Sequence, residues 1–159
     1  MMRAAVLTVS DSVSRGSSED RSGPAVAEAC RARQWEVAAT AVLPDDREKI
    51  EARLREWADS GAYEVVLTTG GTGIGPRDVT PEATAAVCEK LIPGLAEEMR
   101  RMGLQSTPRA VLSRSIVGVR GTTLIVNLPG SPKGAAESLG AIAELLPHAA
   151  QIVRGARHE

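Results

Sequence analysis

A three-layer α/β sandwich, with a mostly parallel central sheet and a small β-hairpin subelement, is the fold this sequence predicts. Three observations carry the prediction. Short runs rich in Val, Leu, Ile and Ala recur along the chain and stay apolar throughout, as strands buried on both faces do. Stretches with helical spacing of apolar residues alternate with them. Turn residues punctuate nearly every junction, and no repeat, low-complexity tract or linker intervenes. The 159 residues therefore read as a single domain over 1–159.

The first strand is RAAVLTVS, residues 3–10, ending at Asp11. SRGSSEDRSG at 14–23 is a polar loop, and Pro24 suits the first turn of a helix running to about Arg33. EVAATAVL at 36–43 is the second strand, closed by Pro44. Asp45 or Asp46 can cap the next helix, whose inner stripe is Ile50, Leu54, Trp57 and Ala58 and which Gly61 stops. EVVLTT at 64–69 is the third strand, and GGTGIG follows at once. Thr80 is read as the cap of a helix with Pro81 at its first position and Ala83, Val87, Cys88 and Leu91 on its inner face. Pro93 opens a further helix ended by Gly103. SIVGVR and TTLIVNL form a hairpin or a bent strand pair about Arg120-Gly121. NLPGSPK then turns into the last helix, lined by Leu139, Ile142, Ala143 and Leu146, which Pro147 kinks or restarts.

Composition narrows the function. The only aromatics are Trp35, Trp57 and Tyr63, with no Phe, so the core is aliphatic and stacking platforms for nucleic-acid bases are hardly available. The net charge of -1 gives no global basis for binding nucleic acid. The charge is uneven: residues 1–99 carry 17 Asp/Glu against 11 Lys/Arg, and residues 100–159 carry 3 against 8. This is either an ordinary surface imbalance or two segments of opposite sign meeting in one cleft. Cys30 and Cys88, both within expected helices, lack metal spacing and read as small apolar residues. No Cys or carboxylate stands at metal spacing from His148 or His158 in the sequence, and both read as structural or solvated. No apolar run is long enough for a membrane span, and no export signal is evident, so a cytoplasmic location is expected.

In open parallel sheets, ligands bind beyond the carboxyl ends of the strands. The chemically useful residues cluster there: Ser10-Asp11-Ser12 after the first strand, Asp45-Asp46 after the second, and Gly70-Gly71-Thr72-Gly73 with Asp78 after the third. Glycines at 70, 71, 73 and 75 allow positive φ and let backbone N–H groups face an anion. This run is neither a Walker A loop nor a dinucleotide fingerprint. Asp46 and Asp78 can each be a plain helix cap or, taken with Asp11, part of a cation site, since Mg²⁺ accepts a few carboxylates together with substrate phosphates. NLPGSPK offers Asn127, Ser131 and Lys133 at a helix N-terminus, either as an anion site or as an ordinary turn. Ser113, Arg114 and Ser115 form a compact set of phosphate donors, unless Arg114 is simply a solvated charge.

Six segments taken together, TVSD, DRSGP, TTGGTGIGPRDVTPEA, PGLAEEMR, LSR and RGTTLIVNLPGSPK, resemble the molybdopterin-binding family of MogA, MoaB and gephyrin G-domain type, in the family's order and over nearly the whole chain. The resemblance implies a homotrimer that joins molybdopterin to the adenylyl group of ATP with Mg²⁺ and releases pyrophosphate. It also implies a possible molybdenum-inserting partner. It casts Asp46 and Asp78 as the essential, metal-binding aspartates and Gly71, Thr72 and Gly73 as the pterin-phosphate loop. Asp11, Ser12, Gly70, Glu97, Ser113, Arg114, Ser115, Asn127, Pro129, Gly130, Ser131 and Lys133 complete the expected substrate-binding set. A non-catalytic molybdopterin-binding or scaffold role, of the MoaB type, is the main alternative, and a generic nucleotide-binding regulatory domain is a third.

Overall fold

A computed structural model describes residues 1–155; His158 lies outside them. Six strands form one sheet in the order β2-β1-β3-β6-β5-β4. Strands β1 (Arg3–Val9), β2 (Glu36–Leu43), β3 (Val65–Thr69) and β6 (Thr123–Leu128) are parallel neighbours. Strands β5 (Val117–Arg120) and β4 (Lys90–Leu91) extend the β6 edge in antiparallel pairing. The β5–β6 hairpin turns at Gly121, whose φ of 58° is the left-handed conformation a two-residue turn needs.

The sheet is covered on both faces because successive residues of its central strands point opposite ways. Val6, Leu67, Leu124 and Val126 face α2 (Ser22–Ala32), α5 (Pro93–Gly103), α6 (Pro132–Ile142) and α7 (Leu146–Val153). Leu7, Val66 and Ile125 face α3 (Arg47–Asp59) and α4 (Thr80–Val87). Both packed layers are aliphatic, with Trp35 and Trp57 at their margins.

Several expectations shift. Asp11–Ser14 closes one helical turn, α1, capped by the Ser10 hydroxyl, where only the end of a strand was expected. Helix α2 begins at Ser22, before Pro24, because Asp20 Oδ1 accepts from Gly23 N–H at 3.0 Å and satisfies its first turn. Strand β2 is half-exposed along its length, unlike the continuously buried strands: it is the sheet edge, and its sequence alone does not say so. Helix α4 stops at Val87, so Leu91 lies in a strand and is exposed. Cys88 turns extended there to run beside β5, and a side chain at Gly118 would strike its Sγ, at 2.5 Å from an added Cβ. Pro147 restarts the chain as α7.

Candidate functional site

Strand β1 leads to β2 on one side, and the chain returns through β3 on the other. The carboxyl ends of β1 and β3 therefore flank a topological switch point, where a crevice must open. The glycine turn after β3 fills that position. Gly70 and Gly71 have φ of 102° and 68°. An added Cβ would lie 2.2 Å from the Val9 carbonyl at Gly70 and 2.3 Å from Thr80 Oγ1 at Gly71. Only glycine fits either place. Gly73 and Gly75 are not at positive φ; they are small because the Asp78 carboxylate occupies the space, 2.8 and 3.0 Å from their would-be Cβ atoms.

The turn is tied down from three directions. Thr80 is the first residue of α4 and not its cap; its hydroxyl donates to the Gly70 carbonyl at 3.0 Å. Gly70 N–H donates to Leu128 O at 3.1 Å and Thr69 Oγ1 to Pro129 O at 2.6 Å, which joins the turn to the NLPGSPK segment. Arg114 donates from Nε to Gly73 O at 2.7 Å and from Nη2 to Asp78 O at 2.9 Å, and it pairs with the Glu82 carboxylate. Arg114 thus braces the loop with the donors expected to meet phosphate.

Two cavities abut this braced ridge. The first, about 310 Å³, is bounded by Thr72, Gly73, Ser113, Ser115, Pro129 and Ser131 of the expected set. Apolar Met99, Ala110 and Leu112, together with Arg100 and Arg109, complete much of its wall. The second, about 400 Å³, is bounded by Ser12, Gly70, Gly71, Asp78 and Gly130 of the set, with Asp20 and Asp45. Adjacent residues of both turns face opposite ways, Gly71 against Thr72 and Gly130 against Ser131. A backbone partition therefore separates an apolar, cation-edged cavity from an acidic one. The uneven charge of the chain falls across this partition, with Arg100 and Arg109 on one side and the early aspartates on the other.

The carboxylate set against the glycine turn is Asp45. Its Oδ1 lies 3.0 Å from the would-be Cβ of Gly71. Its Oδ2 accepts from Asp11 N–H, and its own N–H donates to Asp11 Oδ1, both at 3.0 Å. Asp46, the residue singled out from sequence, caps α3 by accepting from Lys49 N–H at 3.2 Å. Asp78 Oδ2 accepts from Gly75 N–H at 2.9 Å and so caps the turn rather than α4. Arg77 forks onto Asp11 at 3.0 and 3.1 Å, which holds the Asp11 carboxyl below the usual carboxylate range. Burial first, and the nearby charges of Asp11 and Asp78 next, push Asp45 above that range.

Asp11, Asp46 and Arg114 line neither cavity, and three further expected contacts lie elsewhere. Asn127 is fully buried; its amide donates to Thr68 and Thr84 hydroxyls and its oxygen accepts from Ile116 N–H, so it cross-braces the sheet. Lys133 is exposed on α6, 3.8 Å from Glu137. Glu97 is exposed on α5 and lines neither cavity. Asp20, missed in the sequence, lines the acidic cavity and accepts from Thr8 Oγ1 at 2.8 Å. Its Asp-x-x-Gly spacing into α2 was the available signal. Cys30 and Cys88 are free thiols, pushed up to about 11 by burial and thus protonated at neutral pH.

The sheet order and the two cavities at its switch point define an α/β protein with a candidate ligand site at the carboxyl ends of its strands. Comparison with known proteins narrows the class: residues 5–148 match the model of the probable molybdopterin binding domain, and the chain belongs to that family. It is 40% identical over 157 residues to a molybdopterin adenylyltransferase of Helicobacter pylori, covering 94% of this chain and 86% of that one. Against the Escherichia coli molybdopterin adenylyltransferase the identity is 40%, covering 87% and 72%. Among solved structures, the molybdopterin biosynthesis enzyme MoaB from Thermus thermophilus superposes with a TM-score of 0.92 at 50% identity, over 100% of both chains. A MogA structure superposes at 0.87 with 40% identity, over 95% and 99%.

Proposed function

We propose that this chain acts in molybdenum cofactor biosynthesis by transferring the adenylyl group of ATP to the terminal phosphate of molybdopterin, with release of pyrophosphate. One observation carries the reading: adjacent residues of the same two turns border both cavities, so ligands seated in each would bring their phosphates to the same glycine loop. The relatives named molybdopterin adenylyltransferase support the choice of substrates. The cation-edged cavity suits the pterin, with Thr72, Gly73, Ser113, Ser115 and Ser131 bordering its phosphate. The acidic cavity suits the nucleotide.

Asp45 and Asp78 are the residues that would hold magnesium. Burial and neighbouring aspartates disfavour the charged form of Asp45, and a cation relieves this. Among the described residues no three His, Cys, Asp or Glu side chains form a cage of their own. That suits an ion that draws its remaining ligands from phosphates and water. When bound, magnesium supplies neutralisation of charge on the triphosphate. The attacking phosphate is already anionic at neutral pH, so the protein's part is positioning and electrostatic, with no general base required. Arg114 and Thr80 hold the partition still, Arg77 neutralises Asp11 next to Asp45, and Asp46 secures α3 behind Asp45.

The proposed setting is a cytoplasmic homotrimer that hands its product to a molybdenum-inserting protein; sedimentation velocity measures the first of these. Incubation with molybdopterin, Mg²⁺ and α-labelled ATP tests the reaction, with label expected on the pterin. Asp78→Ala is expected to retain pterin affinity and lose labelling. Intact pterin affinity in the wild type without any label transfer would instead support the binding-only reading.

A further inference from the structure

One side chain of the first cavity has no part in handling phosphate. Among the described residues Glu137 is the only carboxylate on that cavity's wall, which otherwise mixes hydroxyls, apolar side chains, Arg100 and Arg109. It stands on α6 six residues beyond Ser131, whose hydroxyl caps the helix by accepting from Gly134 N–H at 3.0 Å. At the helical rise, this is about 9 Å from the partition where the phosphate must lie. Its side chain is 37% exposed, and its recorded partner is the 83%-exposed Lys133 at 3.8 Å, a loose surface pair. Met99, Ala110 and Leu112 give the same cavity apolar walls suited to a flat ring.

A carboxylate in a pocket for an anion lowers affinity unless the ligand brings donors to it. The pyrimidine edge of a pterin brings two in parallel, the ring N3–H and the 2-amino group, in the fork spacing that a carboxylate accepts. We infer that Glu137 reads the 2-amino-4-oxo edge of the pterin and makes the cavity selective for that edge over a 2,4-dioxo ring. This rests on the assignment of the first cavity to the pterin. Glu137 is a specificity residue, remote from the transferred phosphoryl group.

The test uses two probes that differ at one atom, 6-hydroxymethylpterin monophosphate and 6-hydroxymethyl-lumazine monophosphate, titrated by calorimetry into wild type and Glu137→Gln. In lumazine the 2-amino donor is an oxygen, which would face the carboxylate and repel it. The wild type is expected to favour the pterin by at least about tenfold, because a site built to accept a hydrogen bond rejects an analogue that cannot give it. In Glu137→Gln the amide presents one acceptor and one donor, so the ratio should fall to about one or invert. Glu137→Ala should weaken the pterin and, with the repelling carboxylate gone, bind lumazine as well as or better than the wild type does. A pterin preference that survives unchanged in Glu137→Gln overturns this inference and leaves the adenylyltransferase reading intact. Failure of the wild type to bind either probe removes the pterin from the cavity, and both readings fall together.

Discussion

Two consecutive aspartates meet different partners, Asp45 the Asp11 amide beside Gly71 and Asp46 the start of α3, and on the proposed function they divide binding from stability. Asp46 satisfies an otherwise unpaired amide of α3. Its replacement by Ala should cost about 1 kcal/mol in chemical denaturation, with the labelling activity largely kept. Asp45→Asn should do the reverse and abolish labelling. The Asp45 carboxyl titrates above its ordinary range in the folded chain, so ionising it opposes folding. The penalty is absent at pH below the ordinary carboxylate range and grows as pH rises through the elevated folded value. Asp45→Asn should therefore melt at a higher temperature than wild type near pH 7, and the gap should close in acid. A variant less stable than wild type at neutral pH would contradict the cause assigned to that shift. The sequence made the pair visible but not its division of labour. A β-strand and a helix cap hand successive side chains to different neighbours, and which one meets Gly71 depends on where α3 begins.

At the scale of the element, the partition depends on backbone shape more than on side chains. Gly70→Ala would force a Cβ onto the Val9 carbonyl and hold a left-handed φ as well. Its cost should exceed the 1–2 kcal/mol of left-handed backbone alone. Gly121, also left-handed but with open space around it, supplies the control: Gly121→Ala should lose only about that amount. Equal losses in urea denaturation would show that the collision at Gly70 is relieved by local movement. The Gly-rich run could be picked out from sequence as a site because glycines, threonines and charges rarely crowd without reason. Its individual duties could not. Gly73 and Gly75 are small on behalf of Asp78, and Arg114 reaches across from a segment 36 residues further along the chain to hold the Asp78 carbonyl. Asn127 likewise looked like a ligand donor because it precedes a turn, yet strand pairing turns it into the core, where Thr68 and Thr84 satisfy it.

For the whole molecule, apolar strand runs were enough to predict the layers, since a strand buried on both faces has little choice of fold. Strand order was not legible, and so β2 could not be recognised as an exposed edge. Nor could the location of two cavities on one partition, which depends on three loops converging. Ligand linkage follows from that location. Mg-ATP at about 100 times its Kd should raise the unfolding free energy by about 2.7 kcal/mol, and chelation with EDTA should abolish the effect. ATP stabilisation that persists in EDTA would remove the magnesium-holding role proposed for Asp45 and Asp78.

The cross-ties from Gly70 to Leu128 and from Thr69 to Pro129 make the two turns one object. A septum shared by two chambers cannot be reshaped for one tenant alone. Enlarging the acidic chamber by moving Gly130 would displace Ser131 in the other, so altered ligand choice in either chamber should emerge together with altered choice in its neighbour. Independent tuning has to come from the far walls, where α5 and α6 stand on one side and the start of α2 on the other.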